Sequence, residues 1–218
     1  MFNNPHNPSG SIWTKEDIVK LEALVSKHPQ LLLISDEVYE HIQFGGKHCT
    51  ILTSELLRER SFVIYSFGKT FHVTGWKIGY CVAPTELTKE LRSNFQFNVF
   101  CVNNTMQYAI ERYMNSRNSW SDIPTFYKTK LDLFQKAMKT SRFKPLPCNG
   151  TYFCLYDYSG ISDEKDTEFA KRITKQNGVA SIPVSVFYGD KTDNKVLRFC
   201  FAKRDETLLK AAELLCKI

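Results

Sequence analysis

The sequence predicts an α/β fold: a mixed, mostly parallel sheet with helices in the first half, followed by a smaller α+β region. Three observations carry this expectation. The unbroken apolar runs Leu31–Ile34 and Phe62–Tyr65 have the length and composition of strands covered on both faces. Residues 40–61, between them, suffice for a crossover to a parallel strand, whereas the ten residues 68–77 before Ile78 are too few for one. The strand expected at Ile78–Ala83 is therefore antiparallel to its predecessor or not its neighbour, and the sheet is mixed.

Taken in order, Asn4-Pro5-His6-Asn7-Pro8-Ser9-Gly10 is a turn, with two Asn-Pro pairs and a glycine. Thr14 is the expected N-cap of the first helix, with Asp17 as capping-box partner and Ile18, Leu21, Leu24 and Val25 on its apolar face. Pro84 ends the strand at Ile78–Ala83. Helices are expected from Leu87 to Phe95, around Met106, Ala109, Ile110 and Tyr113, and from Ile123 to Met138. Phe143 to Tyr158 reads as strands around the turn Pro147-Cys148-Asn149-Gly150. Asp166 to Gln176 reads as helix stopped by Gly178, Val196 to Phe201 as strand, and Leu208, Leu209, Ala212 and Leu215 as the packed face of a last helix.

Composition limits the function classes. Hydrophobic residues make up 43%, which describes a chain with a core rather than a disordered one. A net charge of +6, spread without a dense basic run, disfavours nucleic-acid binding and suits a small anionic ligand held by a few placed cations. Neither a membrane-length apolar run nor a signal-peptide pattern is seen. The seven cysteines lack a Cys-x-x-Cys pair, and Cys81, Cys154 and Cys200 sit in apolar runs, as buried reduced thiols of a cytoplasmic protein would. His41, His48 and Cys49 match no standard metal-ligand spacing, so no metal site is expected.

The chemistry centres on Ser66-Phe67-Gly68-Lys69-Thr70-Phe71-His72-Val73-Thr74-Gly75-Trp76-Lys77, a loop expected between two buried strands. A lysine partly withdrawn from water loses pKa and becomes a usable nucleophile. Asp36 and Tyr39 follow the strand at Leu31–Ile34, where side chains face the ligand crevice of an open α/β sheet. Read singly, Asp36 is as well a turn former, and Lys77 and Arg198 are as well surface cations.

Three motifs taken together resemble the fold-type-I pyridoxal-phosphate aminotransferases of class I/II: Asn4 to Gly10, Ser35-Asp36-Glu37-Val38-Tyr39, and Ser66 to Lys77, in the family's order and spacing. Glu40-His41-Ile42, Gly150-Thr151-Tyr152-Phe153 and Arg198-Phe199-Cys200-Phe201-Ala202-Lys203 are most similar to the methionine/kynurenine branch. The resemblance implies pyridoxal 5'-phosphate as cofactor, amino acids and 2-oxo acids as substrates, a homodimer, and neither nucleic acid nor membrane as partner. By the resemblance, Lys69 is the cofactor-bearing lysine and Asp36 the partner of the pyridine nitrogen. Tyr39 and Asn7 are assigned to its phenolic oxygen, Ser66 and Lys77 to its phosphate. Arg198 is assigned to the substrate carboxylate and Gly150 to the substrate pocket, though Gly150 equally suits a plain hairpin turn. Phe67, Phe71, Trp76 and Phe187 are candidate pocket walls, with core packing the better-fitting role for most of them. The implied activity is transfer of the amino group of methionine or an aromatic amino acid to a 2-oxo acid.

The resemblance also implies a departure. In the family the Asn-Pro turn follows a long N-terminal portion that carries a glycine-containing phosphate loop and the aromatic residue stacked on the cofactor ring. The expected domains are a partial large, cofactor-binding domain at 1–100, and connecting helices with a small domain at 101–218. Weak cofactor binding and poor turnover are expected of the isolated chain. Two alternatives stay open: a lyase on the same cofactor acting on cysteine conjugates, and a catalytically impaired chain serving as an oligomerisation or interaction module.

Overall fold

Thr14 opens the first long helix, α1 (Lys15–Ser26), in the expected way. Its hydroxyl accepts from the Asp17 N–H at 3.3 Å, and the Asp17 carboxylate takes the Thr14 N–H at 2.9 Å. The computed structural model describes residues 1–117 and 120–218. Contacts group them into two units, Met1–Pro5 with Ile12–Ile123, and His6–Ser11 with Pro124–Ile218.

The first unit holds a four-stranded sheet in the order β1 (Phe2–Asn3), β2 (Leu33–Asp36), β3 (Ser61–Ser66), β4 (Gly79–Val82). β1 pairs parallel to β2 and β2 parallel to β3, while β4 runs antiparallel to β3. The sheet is thus mixed, as the short 68–77 connection requires. The helices are α1, the single turns α2 (Glu55–Arg58) and α3 (Phe67–Thr70), α4 (Thr85–Asn98) and α5 (Asn104–Asn115). Ile18 and Val25 of α1 pack with Leu33, Val63, Tyr65, Ile51 and Leu57. Each large side chain so buried stabilises by about 1.5–3 kcal/mol.

Several expectations are corrected here. β2 starts two residues later than the apolar run suggests, and Leu31 and Leu32 are exposed ahead of it. Its residues alternate, with Leu33 and Ser35 buried and Ile34 exposed, so this strand is covered on one face only. β4 is not buried: all four residues are exposed, including Cys81, because it is an edge strand and the following α4 buries none of its own residues. Leu24 is likewise exposed on α1, and α5 buries only Ile110 of its expected face. By contacts α5 groups with the first unit, although the sequence division placed it after residue 100. The expected loop at Lys69 is instead the helical turn α3 followed by a 3-10 turn at Thr74–Trp76.

The second unit contains most of α6 (Asp122–Ala137) and a second sheet of four strands. These are β5 (Lys144–Pro145), β6 (Phe153–Asp157), β7 (Ile182–Pro183) and β8 (Val196–Cys200), all antiparallel in the order β5-β6-β8-β7. α7 (Asp166–Asn177) ends at Gly178, whose φ of 70° is the left-handed cap expected there, and α8 (Asp205–Leu215) closes the chain. The two-residue β7 has no sequence signal of its own.

Gly79 shows how tightly β3 and β4 approach. A β-carbon at that position would lie 2.3 Å from the Tyr65 carbonyl oxygen, which is backbone and cannot step aside. We expect Gly79→Ala to cost about 2–3 kcal/mol in urea unfolding; a variant as stable as wild type contradicts that approach.

Candidate active site

The parallel pairing of β2 and β3 puts their carboxyl ends side by side, with Asp36 opposite Ile64 and the Glu37 N–H donating to Ile64 O at 2.9 Å. Asp36 ends β2. Burial pushes its carboxyl above the usual range, while the Val38 N–H, at 3.4 Å, and the charge of Lys69 pull the other way. Lys69 is half-buried in α3, directly after β3. α3 is closed by Phe71 N–H to Phe67 O at 2.8 Å and Thr70 Oγ1 to Ser66 O at 3.3 Å. Phe67 packs 5.1 Å from Tyr80, which stacks 4.8 Å from Tyr65, so the base of the turn is fastened to β3 and β4.

The rest of the motif folds back over Gly68, whose carbonyl accepts from Val73 N–H and Thr74 Oγ1, both at 3.1 Å. A side chain at Gly68 would meet Thr74 Cα at 3.0 Å. Ser66 occupies the N-cap position of α3 but makes no side-chain cap bond. Lys77 ends the 3-10 turn in the left-handed region, φ 57°, and is exposed. Tyr39 is buried in the turn after β2. Asp36, Tyr39, Ser66, Lys69 and Lys77 therefore all lie in the first unit.

Beneath Asp36 is a buried polar network built on Ser35 and Glu37, which the sequence motif contained without assigning them a role, and on His48, Ile51 and Tyr65 from outside that motif. Glu37 is fully buried. Its Oε1 accepts from Ser35 Oγ at 3.0 Å and Ile51 N–H at 3.2 Å; its Oε2 accepts from His48 Nε2 at 2.8 Å and Tyr65 O–H at 3.1 Å. Burial pushes the Glu37 carboxyl up, but the His48 bond and charge, with bonds from Thr50 and Ile51, bring it below its ordinary value. Donors from Ser35, His48, Ile51 and Tyr65 on one buried carboxylate hold the strand end that presents Asp36.

Glu40, nearby in charge, behaves oppositely. Burial and the Glu37 charge raise its carboxyl to about 7, against His48 and a 3.4 Å bond from Tyr80 O–H. Folded Glu40 holds its proton more tightly than the unfolded chain does, so its contribution to stability falls as pH rises from 4.5 to about 7. We expect Glu40→Gln to gain about 1–3 kcal/mol over wild type at pH 8 and nothing at pH 4.5. Equal gains at both pH values in chemical unfolding contradict this assignment.

The second unit carries the other site residues. Arg198 lies on β8, and its Nη1 donates to Asn7 Oδ1 at 2.6 Å. Its guanidinium carbon is 3.9 Å from the Phe153 ring centre and 5.2 Å from that of Phe187. The Asn7 turn is docked by Asn149 N–H to Gly10 O at 2.9 Å, and a β-carbon on Gly10 would meet Cys148 Sγ and Gly150 O at 3.1 Å. Gly150 and Thr151 are buried, with Thr151 at φ 66°, an unusual backbone for a β-branched residue. Thr151 Oγ1 accepts from the Phe153 N–H at 3.1 Å, which turns Phe153 into β6. The structure thus groups Asn7, Gly150 and Arg198. Phe153, part of a quoted motif, gains a contact that its spacing alone does not reveal.

Comparison with known proteins identifies the family. Residues 1–215 match the family model for aminotransferase class I and II. The chain is 44% identical to the methionine aminotransferase of Escherichia coli over 217 residues, covering 99% of this chain and 56% of that protein. It is 34% identical to the kynurenine–oxoglutarate transaminase of Dictyostelium discoideum, covering all of this chain and again 56% of the relative. The crystal structure of an Escherichia coli protein with methionine aminotransferase function superposes with a TM-score of 0.96, at 44% identity, over all of this chain and 58% of the other. An aromatic aminotransferase from Pyrococcus horikoshii superposes at 0.88, with 26% identity, over 99% of this chain and 58% of that one. The chain therefore spans little more than half the length of these relatives, and along nearly all of its own length it belongs to the class I and II aminotransferases.

Proposed function

We propose that this chain carries the lysine and arginine half-sites of a pyridoxal-phosphate aminotransferase that takes its amino group from methionine or an aromatic amino acid and gives it to a 2-oxo acid. The observation that carries the reading is the placement of Asp36 and Lys69 at the carboxyl ends of adjacent parallel strands, close enough for the lysine charge to act on the carboxyl.

The donor set fits the cofactor. Asp36 is desolvated and accepts a long bond from the Val38 N–H at 3.4 Å, so a pyridinium N–H would answer its need for a cationic partner. Ser66 keeps its hydroxyl out of helix capping, and Lys77 offers an exposed ammonium, the two groups a phosphate would use. Bound pyridoxal phosphate would supply an electron sink conjugated with the substrate α-carbon. Asp36 would keep the ring nitrogen protonated. Tyr39 would hold the phenolic oxygen. The Lys69 amine would take the proton from the substrate α-carbon and later return one, with its reach set by the α3 turn. Arg198 would grip the substrate carboxylate with a planar fork that lysine cannot copy, its rotation fixed by Asn7 Oδ1.

Preference for methionine or aromatic donors is supported by the relatives and by the aromatic residues Phe153 and Phe187 at Arg198. Pairing of two copies belongs to the same reading, supported by the exposed apolar residues of β4 and α4, among them Tyr80, Val82, Phe95 and Phe97.

The reading is tested by titrating the purified chain with excess pyridoxal phosphate. Wild type is expected to develop the visible absorbance of lysine-bound cofactor, with modest affinity, and Lys69→Ala to lose it. Persistence of the band in Lys69→Ala would remove Lys69 from its proposed role.

A further inference from the structure

We propose that Asp166 is a positioning residue for Arg198, acting through the turn that carries Phe187. The inference rests on the reading of Arg198 as the carboxylate-binding residue and names what sets the guanidinium's surroundings.

Asp166 opens α7 and is 1% exposed. A buried carboxylate is costly unless its oxygens are answered by donors. Here both donors come from one residue. Ser185 N–H reaches Asp166 Oδ2 and Ser185 O–H reaches Oδ1, each at 2.7 Å. The Asp166 N–H in turn donates to Asp193 Oδ2 at 3.1 Å, and Asp193 Oδ1 accepts from the Lys195 N–H at 2.8 Å. Lys195 immediately precedes β8, and its ammonium reaches back to the Glu164 carbonyl at 2.8 Å. The Asp166 carboxylate therefore joins the start of α7 to the 3-10 turn Val184–Phe187, while its backbone N–H and the Asp193 carboxylate join that start to the entry of β8.

The turn is also held by Val184, packed with Leu155 and Val196, and by the Lys191 ammonium on Val186 O at 3.3 Å, but both act at other residues of the turn than Phe187. The turn has four residues, too few for a helix to persist on its own propensity. Phe187 is 45% exposed, so packing restrains it weakly. β7 delivers the chain beside Arg198, with Ile182 opposite it in register, and the Ser185 clasp then turns the chain so that Phe187 comes to 5.2 Å from the guanidinium carbon. An aromatic ring there attracts the cation and keeps water from it, which strengthens the charge-assisted bonds the fork makes to a carboxylate. Without the clasp the ring loses its fixed place, although Arg198 keeps its backbone position on β8.

The test uses the full chain with nitrogen-15-labelled arginine, the Arg198 Nε–Hε signal being assigned with Arg198→Lys. Asp166→Ala is expected to move that signal most of the way to its position in Phe187→Leu. Asp166→Asn should leave it in place, because an amide can accept the Ser185 N–H and donate to the Ser185 hydroxyl. Titration with 3-phenylpropionate should weaken about three- to fivefold in Asp166→Ala, against less than about twofold for acetate, which has no ring to lean on Phe187. If the Arg198 signal of Asp166→Ala stays at the wild-type position, or if Asp166→Asn moves as far, the clasp is not what positions it. If neither acid moves Arg198 in wild type, the carboxylate reading falls, while the ligand-free signal still decides the positioning. Should Asp166→Ala fail to fold, Ser185→Ala decides: a displacement in the direction of Phe187→Leu supports the proposal and an unmoved signal overturns it.

Discussion

Parallel pairing of β2 with β3 is the constraint on which the proposed lysine half-site depends. Two neighbouring parallel strands end at the same edge, so whatever follows each of them is brought together there. Asp36 closes one strand, and Ser66 with the α3 turn closes the other. An antiparallel arrangement would send those residues to opposite ends of the sheet. The pairing is held by the core under α1 and by the Glu37 network, which ties the end of β2 to β3 through Tyr65 and to the following segment through His48 and Ile51. Losing one of those donors would leave part of a buried carboxylate unanswered, which costs more than the hydrogen bond itself.

The proposed arginine half-site rests on a different device. β8 sets the place of Arg198 by register, but its surroundings come from turns: Asn7 from a turn docked on Cys148–Gly150, Phe153 from the strained corner at Thr151, Phe187 from the Ser185 clasp. Individual hydrogen bonds at turns, backbone to backbone at Gly10 and through side chains at Thr151, Asp166 and Asn7, do the work that strand pairing does in the first unit. Those made by side chains can each be removed by one substitution while the sheet stays intact.

Much of this was legible in the sequence because the signals were local. The capping box at Thr14 and Asp17, the left-handed stop at Gly178 and the short connection that forces an antiparallel β4 each follow from a few adjacent residues. The candidate residues Lys69, Asp36 and Arg198 could be named from the sequence because their motifs have fixed spacing. What escaped depends on residues far apart in the chain. The pairing of Asn7 with Arg198 spans 191 positions, and that of Asp166 with Ser185 joins a helix start to a turn that has no periodicity. The apolar runs also misled: Ile34, Tyr80 and Val82 read as buried, yet lie exposed, because hydrophobicity records the need for cover and not whether these 218 residues supply it. Leu24 and Tyr113 failed for a related reason, since a helical period marks a face but not how wide a stripe its neighbours reach.

The central claim is that the β2 and β3 ends make one lysine of this chain chemically distinct. Borohydride reduction of the chain after incubation with pyridoxal phosphate, followed by peptide mapping, tests it directly. The account predicts a reduced adduct concentrated on Lys69 and diminished when Asp36 is replaced by Asn. Label scattered over the exposed lysines, with Lys69 no more modified than the others, would contradict it.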